Sequence, residues 1–139
     1  MIILDTNILS EPMRATPNPK VFEWIDAQSI ESLYFTSTSL AELLVGIEVL
    51  PEGRRKSGLS AKLIDLISQL FGSRILAFDQ AAAVKYAALV SQARTAGCVI
   101  SVGDGQIAAI AASHNFTVAT RDTKPFLAAG IPVINPFEY

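Results

Sequence analysis

Short apolar runs alternate with helix-patterned stretches along the whole chain, and that alternation leaves few folds open. Met1–Leu4 is apolar at every position and stops at Asp5. A run without polar interruptions suits a central strand covered on both faces, since a half-exposed strand would alternate. Leu33–Thr36, Ile75–Phe78 and Thr117–Thr120 read as three further strands. Pro132–Ile134 reads as a fifth, placed at an edge because proline cannot donate to a ladder.

The intervening stretches carry helical signals. Asn18-Pro19 is an N-cap followed by proline at the first helical position, and Val21, Phe22, Trp24 and Ile25 give an apolar stripe ending near Gln28. Ser39-Leu40-Ala41-Glu42 has the form of a capping box, continued by Leu43, Leu44, Ile47 and Leu50 until Pro51-Glu52-Gly53 breaks the pattern. Leu59, Leu63, Leu66, Ile67 and Leu70 recur at helical spacing. Asp79 caps an alanine-rich helix reaching Ala96, with Gly97 as its stop, and Val102 to Ser113 reads as another helix. Strands separated by helices imply right-handed crossovers, hence an α/β fold with a parallel sheet and helices on both faces. With 139 residues, no repeat and no linker-like stretch, a single domain over 1–139 is expected.

Composition removes several chemistries. The single cysteine, Cys98, excludes an internal disulfide and thiolate zinc clusters, and it reads as a buried small hydrophobe. The single histidine, His114, excludes multi-histidine metal sites and suits a helix C-terminus, where the dipole favours it. No Gly-x-Ser-x-Gly elbow is present, and Gly103-Asp104-Gly105 lacks the lysine and spacing of a phosphate loop. No apolar stretch is long enough to span a membrane, and the N-terminus lacks the basic region of a signal peptide, so a cytoplasmic location is expected. The net charge of −2 argues against a protein that simply coats nucleic acid.

In parallel sheets, sites form outside the carboxyl ends of the strands. Asp5 ends the first strand, Glu42 opens the helix after the second, Asp122 follows the fourth, and Asp104 begins the helix before it. Each has a structural reading: Glu42 closing a capping box, Asp104 in a first helical turn, Asp5 and Asp122 in turns. Together they read differently. Neighbouring carboxylates must take up a proton or a cation, and hard oxygen ligands with no lysine beside them suit Mg²⁺ or Mn²⁺. Such a site can activate water for attack on a phosphodiester without histidine or cysteine.

At these residues the chain resembles the PIN-domain ribonucleases, specifically the toxin halves of VapBC-type toxin–antitoxin pairs and, within them, the FitB-like group. The resemblance rests on Ile3-Leu4-Asp5-Thr6-Asn7, Ser39-Leu40-Ala41-Glu42-Leu43, Leu50-Pro51-Glu52-Gly53-Arg54-Arg55, Asp104-Gly105-Gln106-Ile107-Ala108-Ala109-Ile110-Ala111, Ala119-Thr120-Arg121-Asp122 and Val133-Ile134-Asn135-Pro136, in that order across nearly the whole chain. It implies a PIN-like three-layer sandwich around a five-stranded parallel sheet, and a Mg²⁺- or Mn²⁺-dependent endoribonuclease. It carries the family's metal ligands onto Asp5, Glu42, Asp104 and Asp122. Thr6 or Asn7 matches the polar residue orienting the first acid, and Thr120 the hydroxyl beside the last. Many relatives have asparagine where this chain has Asp122, and the extra charge is expected to strengthen or extend metal binding.

The resemblance also implies a homodimer neutralised by a cognate antitoxin, usually of the ribbon–helix–helix type, with operator DNA reached only through that antitoxin. Part of the Phe22–Trp24–Ile25 stripe, with Ile47 and Leu50, is a candidate antitoxin groove or dimer face, in keeping with a mean hydropathy of +0.38. One divalent ion would bring the net charge of −2 to zero and two would bring it to +2, so the basic residues matter. Arg54, Arg55 and Lys56, with Lys62 nearby, and Arg121, with Lys124, are candidate RNA contacts; a solvated helix start is the alternative for the first group. A largely non-catalytic co-repressor that holds a DNA-binding antitoxin on its operator is the competing function. A haloacid-dehalogenase-type phosphatase lacks its second acid, because Asn7 stands two residues after Asp5.

Overall fold

The computed structural model describes residues 1–139. Five parallel strands form one sheet: β1 (Ile2–Leu4), β2 (Leu33–Thr36), β3 (Ile75–Leu76), β4 (Thr117–Ala119) and β5 (Val133–Ile134), in the order β3-β2-β1-β4-β5. Seven helices connect them: α1 (Thr6–Ser10), α2 (Pro19–Asp26), α3 (Ser37–Glu48), α4 (Arg54–Leu66), α5 (Gln80–Thr95), α6 (Val102–His114) and α7 (Thr123–Ala128). The expected α/β class and five-stranded parallel sheet are present.

The central strand explains its own apolar run. Ile3 faces one side, joining Val118, α5, α6, α7 and Ile131, while Leu4 faces the other, joining Phe35, Ala119 and the buried residues of α1 to α4. Successive side chains point to opposite faces, so a strand covered on both must be apolar throughout. α6 buries five consecutive residues, Ile107 to Ala111, and its run of alanines lets neighbouring elements approach. A helix buried this far has no polar face to lose, and truncating Ile107 or Ile110 to alanine is expected to cost about 2–5 kcal/mol.

Several boundaries differ from expectation. The capping box at Ser39 is not formed: the helix start lies three residues earlier, with Thr36 as N-cap accepting the Ser39 amide. Thr36 ends β2 in extended backbone, at φ −117° and ψ 151°, so it reaches the helix start first. Ser39 is instead buried in the first turn, bonded to the Thr36 hydroxyl. α4 begins at Arg54, ahead of its apolar stripe, and ends in a π turn over Ile67–Phe71. β3 is only Ile75–Leu76, shorter than the Ile75–Phe78 run. α1 and α7 were not legible as helices; at five and six residues they are too short to show a periodicity. Trp24 and Ile47 belong to the core rather than to a free groove or dimer face, whereas Phe22 and Ile25 line an apolar groove of about 400 Å³ with Leu66 and Leu70.

From β1 the chain moves to one side for β2 and β3, then crosses to the other for β4 and β5. The strand order therefore reverses between β1 and β4, and the crevice at their carboxyl ends is where this sheet type leaves room for a site.

Candidate active site

Asp5 follows β1 directly, and its amide extends the ladder by donating to the Ala119 carbonyl of β4. The backbone on both sides of the crevice is thus fixed by sheet hydrogen bonds before any side chain contributes. The Asp5 carboxylate is 4 % exposed and accepts three hydrogen bonds. The Thr6 amide donates to Oδ1 at 2.7 Å; the Asn7 side-chain amide and the Thr120 hydroxyl each donate to Oδ2 at 2.8 Å. Asp5 also serves as the N-cap of α1, so one carboxylate starts a helix and closes a strand end.

Thr120 and Asn7 join the two strand ends. The Thr120 hydroxyl accepts from the Asp122 amide and the Asn7 side chain while donating to Asp5. The Asn7 carbonyl oxygen accepts from the Arg121 amide. Every polar side-chain atom buried here has a partner. On the other side, Thr6 donates to Glu42 Oε2 at 2.5 Å. Glu42 lies in the second turn of α3, so it closes no capping box, and its carboxylate is free to face the crevice. It lies against the start of α6, where a Cβ on Gly103 would collide with its Oε1.

Asp104 is half-buried in the first turn of α6, behind the N-cap Ser101, whose hydroxyl accepts the Asp104 amide at 3.1 Å. Sequence reasoning missed Ser101, although Ser101-x-x-Asp104 has capping-box spacing ahead of an apolar run. It also missed the bridge from Thr38 on α3 to Gln106 on α6, which ties the helix of Glu42 to that of Asp104. That contact joins residues 68 apart and leaves no local signal.

Two of the acids, Asp5 and Asp104, are shifted, and neighbouring carboxylates contribute to both shifts. The Asp5 carboxyl is pushed up to about 6, by burial above all and by the charges of Asp104 and Glu42, against the hydrogen bonds from Thr120 and Thr6 that lower it. Asp104 is likewise raised, by burial first, against the Ser101 hydroxyl and with the charges of Glu42 and Asp122. Asp122 is exposed beyond β4 at the start of α7 and caps that helix with no side-chain bond. All the ion pairs of the molecule lie elsewhere, at Glu11, Glu48 and Glu52, so no basic side chain neutralises this cluster.

The donors are oxygens only, which fits a hard divalent cation. No three acidic side chains are already drawn into a ready-made cage. Mg²⁺ dehydrates reluctantly and is commonly held by one or two carboxylates plus water, so it needs no such cage. An uncompensated, part-buried set of carboxylates is the environment such an ion relieves.

The candidate RNA contacts sit in two places. Arg121 stacks its guanidinium over Phe137, 5.4 Å from the ring centroid, at the rim beside Asp122. Arg54 and Arg55 are exposed in the first turn of α4, away from the acids. Lys56 is committed otherwise: its ammonium donates to the Glu48 carbonyl at 3.0 Å and to Glu52 Oε1 at 2.7 Å, holding the turn between α3 and α4. His114 ends α6, exposed and against Phe116, and Cys98 is half-buried, both away from the acids.

Residues 2–131 match the PIN domain. The chain is 47% identical over 138 residues to the VapC ribonuclease Y4jK of Sinorhizobium fredii, covering 99% of each chain. It is 45% identical over 137 residues to the toxin FitB of Neisseria gonorrhoeae, again covering 99% of each. It superposes on a chain of the structure of FitAB bound to an IR36 DNA fragment with a TM-score of 0.94, at 44% identity, covering 99% of this chain and 96% of that one.

Proposed function

The chain belongs to the PIN-domain family, and from that premise we propose that it is a Mg²⁺- or Mn²⁺-dependent endoribonuclease, the toxin half of a toxin–antitoxin pair. The observation that carries this reading is Asp5: a buried carboxylate at the sheet's switch point, raised to about 6, beside Glu42 and Asp104, with no basic partner. A buried charge left unpaired is costly, and retaining it in a hydrogen-bonded frame signals a cation to be bound.

Asp5 and Asp104 would hold the ion, with Glu42 and Asp122 around it directly or through water. When bound, a divalent cation supplies Lewis acidity at the scissile phosphate and lowers the pKa of attacking water. The chain's own residues prepare the ground. Thr120, Asn7 and the Thr6 amide fix both Asp5 oxygens, so the carboxylate cannot rotate away. The Thr6 hydroxyl orients Glu42, and the Thr38–Gln106 bridge holds α3 and α6 at their spacing. Arg121, at the rim, would meet a phosphate of the strand entering the crevice.

The partner would be a cognate antitoxin, of ribbon–helix–helix type by the family resemblance, with operator DNA bound through it and the toxin as a homodimer. The apolar groove at Phe22, Ile25, Leu66 and Leu70 supports a docked apolar segment of that partner. The DNA-bound relative favours a second, compatible reading in which the pair also represses its operon.

The test is cleavage of total RNA by the antitoxin-free protein with Mn²⁺, with EDTA, and in Asp5→Asn and Asp104→Asn variants. Discrete fragments that vanish with EDTA and in both variants are expected. Folded, Mn²⁺-binding protein that cuts no RNA would favour the co-repressor reading or a narrow substrate missing from that RNA pool.

A further inference from the structure

A cleft of about 370 Å³ opens beside the first turns of α4, outside the acid crevice. Arg54, Arg55 and Lys62 line it, Met13 and Leu59 give it an apolar side, and Gly58 leaves its middle open. None of the three cations pairs with a carboxylate. The contrast with Lys56 is informative. In the same turn, Lys56 is neutralised by Glu48 and Glu52, so acids lie within reach of this helix and still leave the cleft unserved. Arg54 and Arg55 also stand at the end of α4 where the helix dipole repels them, and no acid stands in the first turn. Three like charges gathered this way gain from an anion that meets them together. Two guanidiniums favour phosphate, whose oxygens match their planar fork.

We propose that this cleft docks the sugar–phosphate backbone of single-stranded RNA and holds, away from the acids, the strand that the crevice cuts. The inference rests on the ribonuclease reading and names where the substrate's flanking phosphates are held. Three exposed cations beside an apolar side act by charge on phosphates, so recognition here is expected to depend little on base identity.

The test is binding, not cleavage. The full-length chain, free of antitoxin and in EDTA, is titrated with an end-labelled oligouridylate over a range of salt. Wild type is compared with an Arg54→Gln/Arg55→Gln/Lys62→Gln variant and with a charge-matched Lys20→Gln/Lys85→Gln/Arg94→Gln control, thermal unfolding verifying each fold. Each phosphate contact contributes about 0.7 to the slope of log affinity against log salt on a single strand, so the cleft variant is expected to lose about 2 from that slope and at least about tenfold in affinity at low salt. The control is expected to keep the wild-type slope. An unchanged slope in the cleft variant overturns the proposal, as does an equal loss in the control, which would reduce the effect to net charge. Binding of polyglutamate but not oligouridylate, lost in the cleft variant, overturns it in favour of an acidic peptide. Binding through the cleft without cleavage by active-site-intact protein would sink the ribonuclease reading and leave the cleft standing; cleavage with unaltered binding in the variant would do the reverse.

Discussion

Asp5 and Asp104 feel the charges of neighbouring carboxylates near the ends of β1 and β4 with no basic side chain paired to them, and three cations line a cleft beside α4 with no acidic one. Both regions hold uncompensated charge, but they are built differently. The acids stand in a frame of hydrogen bonds: Asp5 is buried and held by three donors, and Thr120 is buried with it. The cations stand on exposed side chains with no hydrogen bond fixing them. A framed charge is sensitive to geometry, because its energy depends on distances of a few tenths of an ångström. An unframed one acts by Coulomb attraction, tolerates displacement and fades with salt. On the proposed reading, chemistry falls to the first kind and strand capture to the second.

The largest effect that could break this contrast is at Asp5. Asp5→Asn keeps the side chain's shape and removes its charge. Metal assistance is worth several kcal/mol, so RNA cleavage in Mn²⁺ is expected to fall at least about 1000-fold. Binding of oligouridylate in EDTA should hold or strengthen, since a repelling charge is gone. A variant that cleaves within tenfold of wild type would show that the framed acids are not the chemical centre.

How much of this was legible in the sequence follows from where the physics is local. β1 was legible because burial on both faces forces an unbroken apolar run ending at Asp5. That Asp5, Glu42, Asp104 and Asp122 lie on one side of the sheet's carboxyl ends was expected from placing each at a strand end or helix start, and the structure shows Asp5 and Asp104 feeling their neighbours' charges. Their frame was not expected: the Thr120–Asp5 bond joins residues 115 apart, and the Thr6–Glu42 bond joins residues 36 apart. The capping box failed because Thr36 and Ser39 are both cap formers, and the choice fell to whichever ended the strand in extended backbone. The cations were legible as a run, but not their division: Lys56 turns back to the end of α3, and Lys62, two helical turns on, replaces it in the cleft.

The next effect is on stability and has a definite sign. Asp5 has a folded pKa of about 6 against an ordinary value of 3.8, so between those pH values the native state binds a proton that the unfolded chain does not. Stability of the metal-free protein therefore gains from this group as pH falls from about 7 to about 4, by up to roughly 3 kcal/mol for two pKa units. Other carboxylates titrate too, so the measure is the difference between Asp5→Asn and wild type in urea midpoints. The variant's advantage is expected to be greatest near pH 7, to shrink toward pH 4, and to vanish or reverse when Mn²⁺ is added. A difference independent of pH would mean that the Asp5 charge is already compensated.

Smaller again is the effect of loosening the frame while keeping every charge. Thr120→Val removes the hydroxyl that donates to Asp5 and accepts from Asn7 and Asp122. Partners that orient a metal ligand typically contribute about 10–100-fold to affinity, and Mn²⁺ binding is expected to weaken by that amount. Thr120→Ser, which keeps the hydroxyl, should recover most of it. Failure of serine to rescue would assign the loss to packing rather than to orientation of Asp5.

The smallest effect sharpens the contrast most, because it separates a cation's presence from its availability. Lys56 carries the same charge as Arg55 beside it, but Glu48 and Glu52 occupy its ammonium and raise its pKa, with the Glu52 hydrogen bond the largest cause. Lys56→Gln is therefore expected to leave the salt slope of oligouridylate binding at the wild-type value, while Arg55→Gln alone lowers it by about 0.7. The cost of Lys56→Gln should appear instead as a small drop in thermal midpoint, from the lost tie to the Glu48 carbonyl at the end of α3. Were the two variants to reduce the slope equally, RNA would be sensing the charge density of α4 as a whole, and the cleft would have no privileged set of cations.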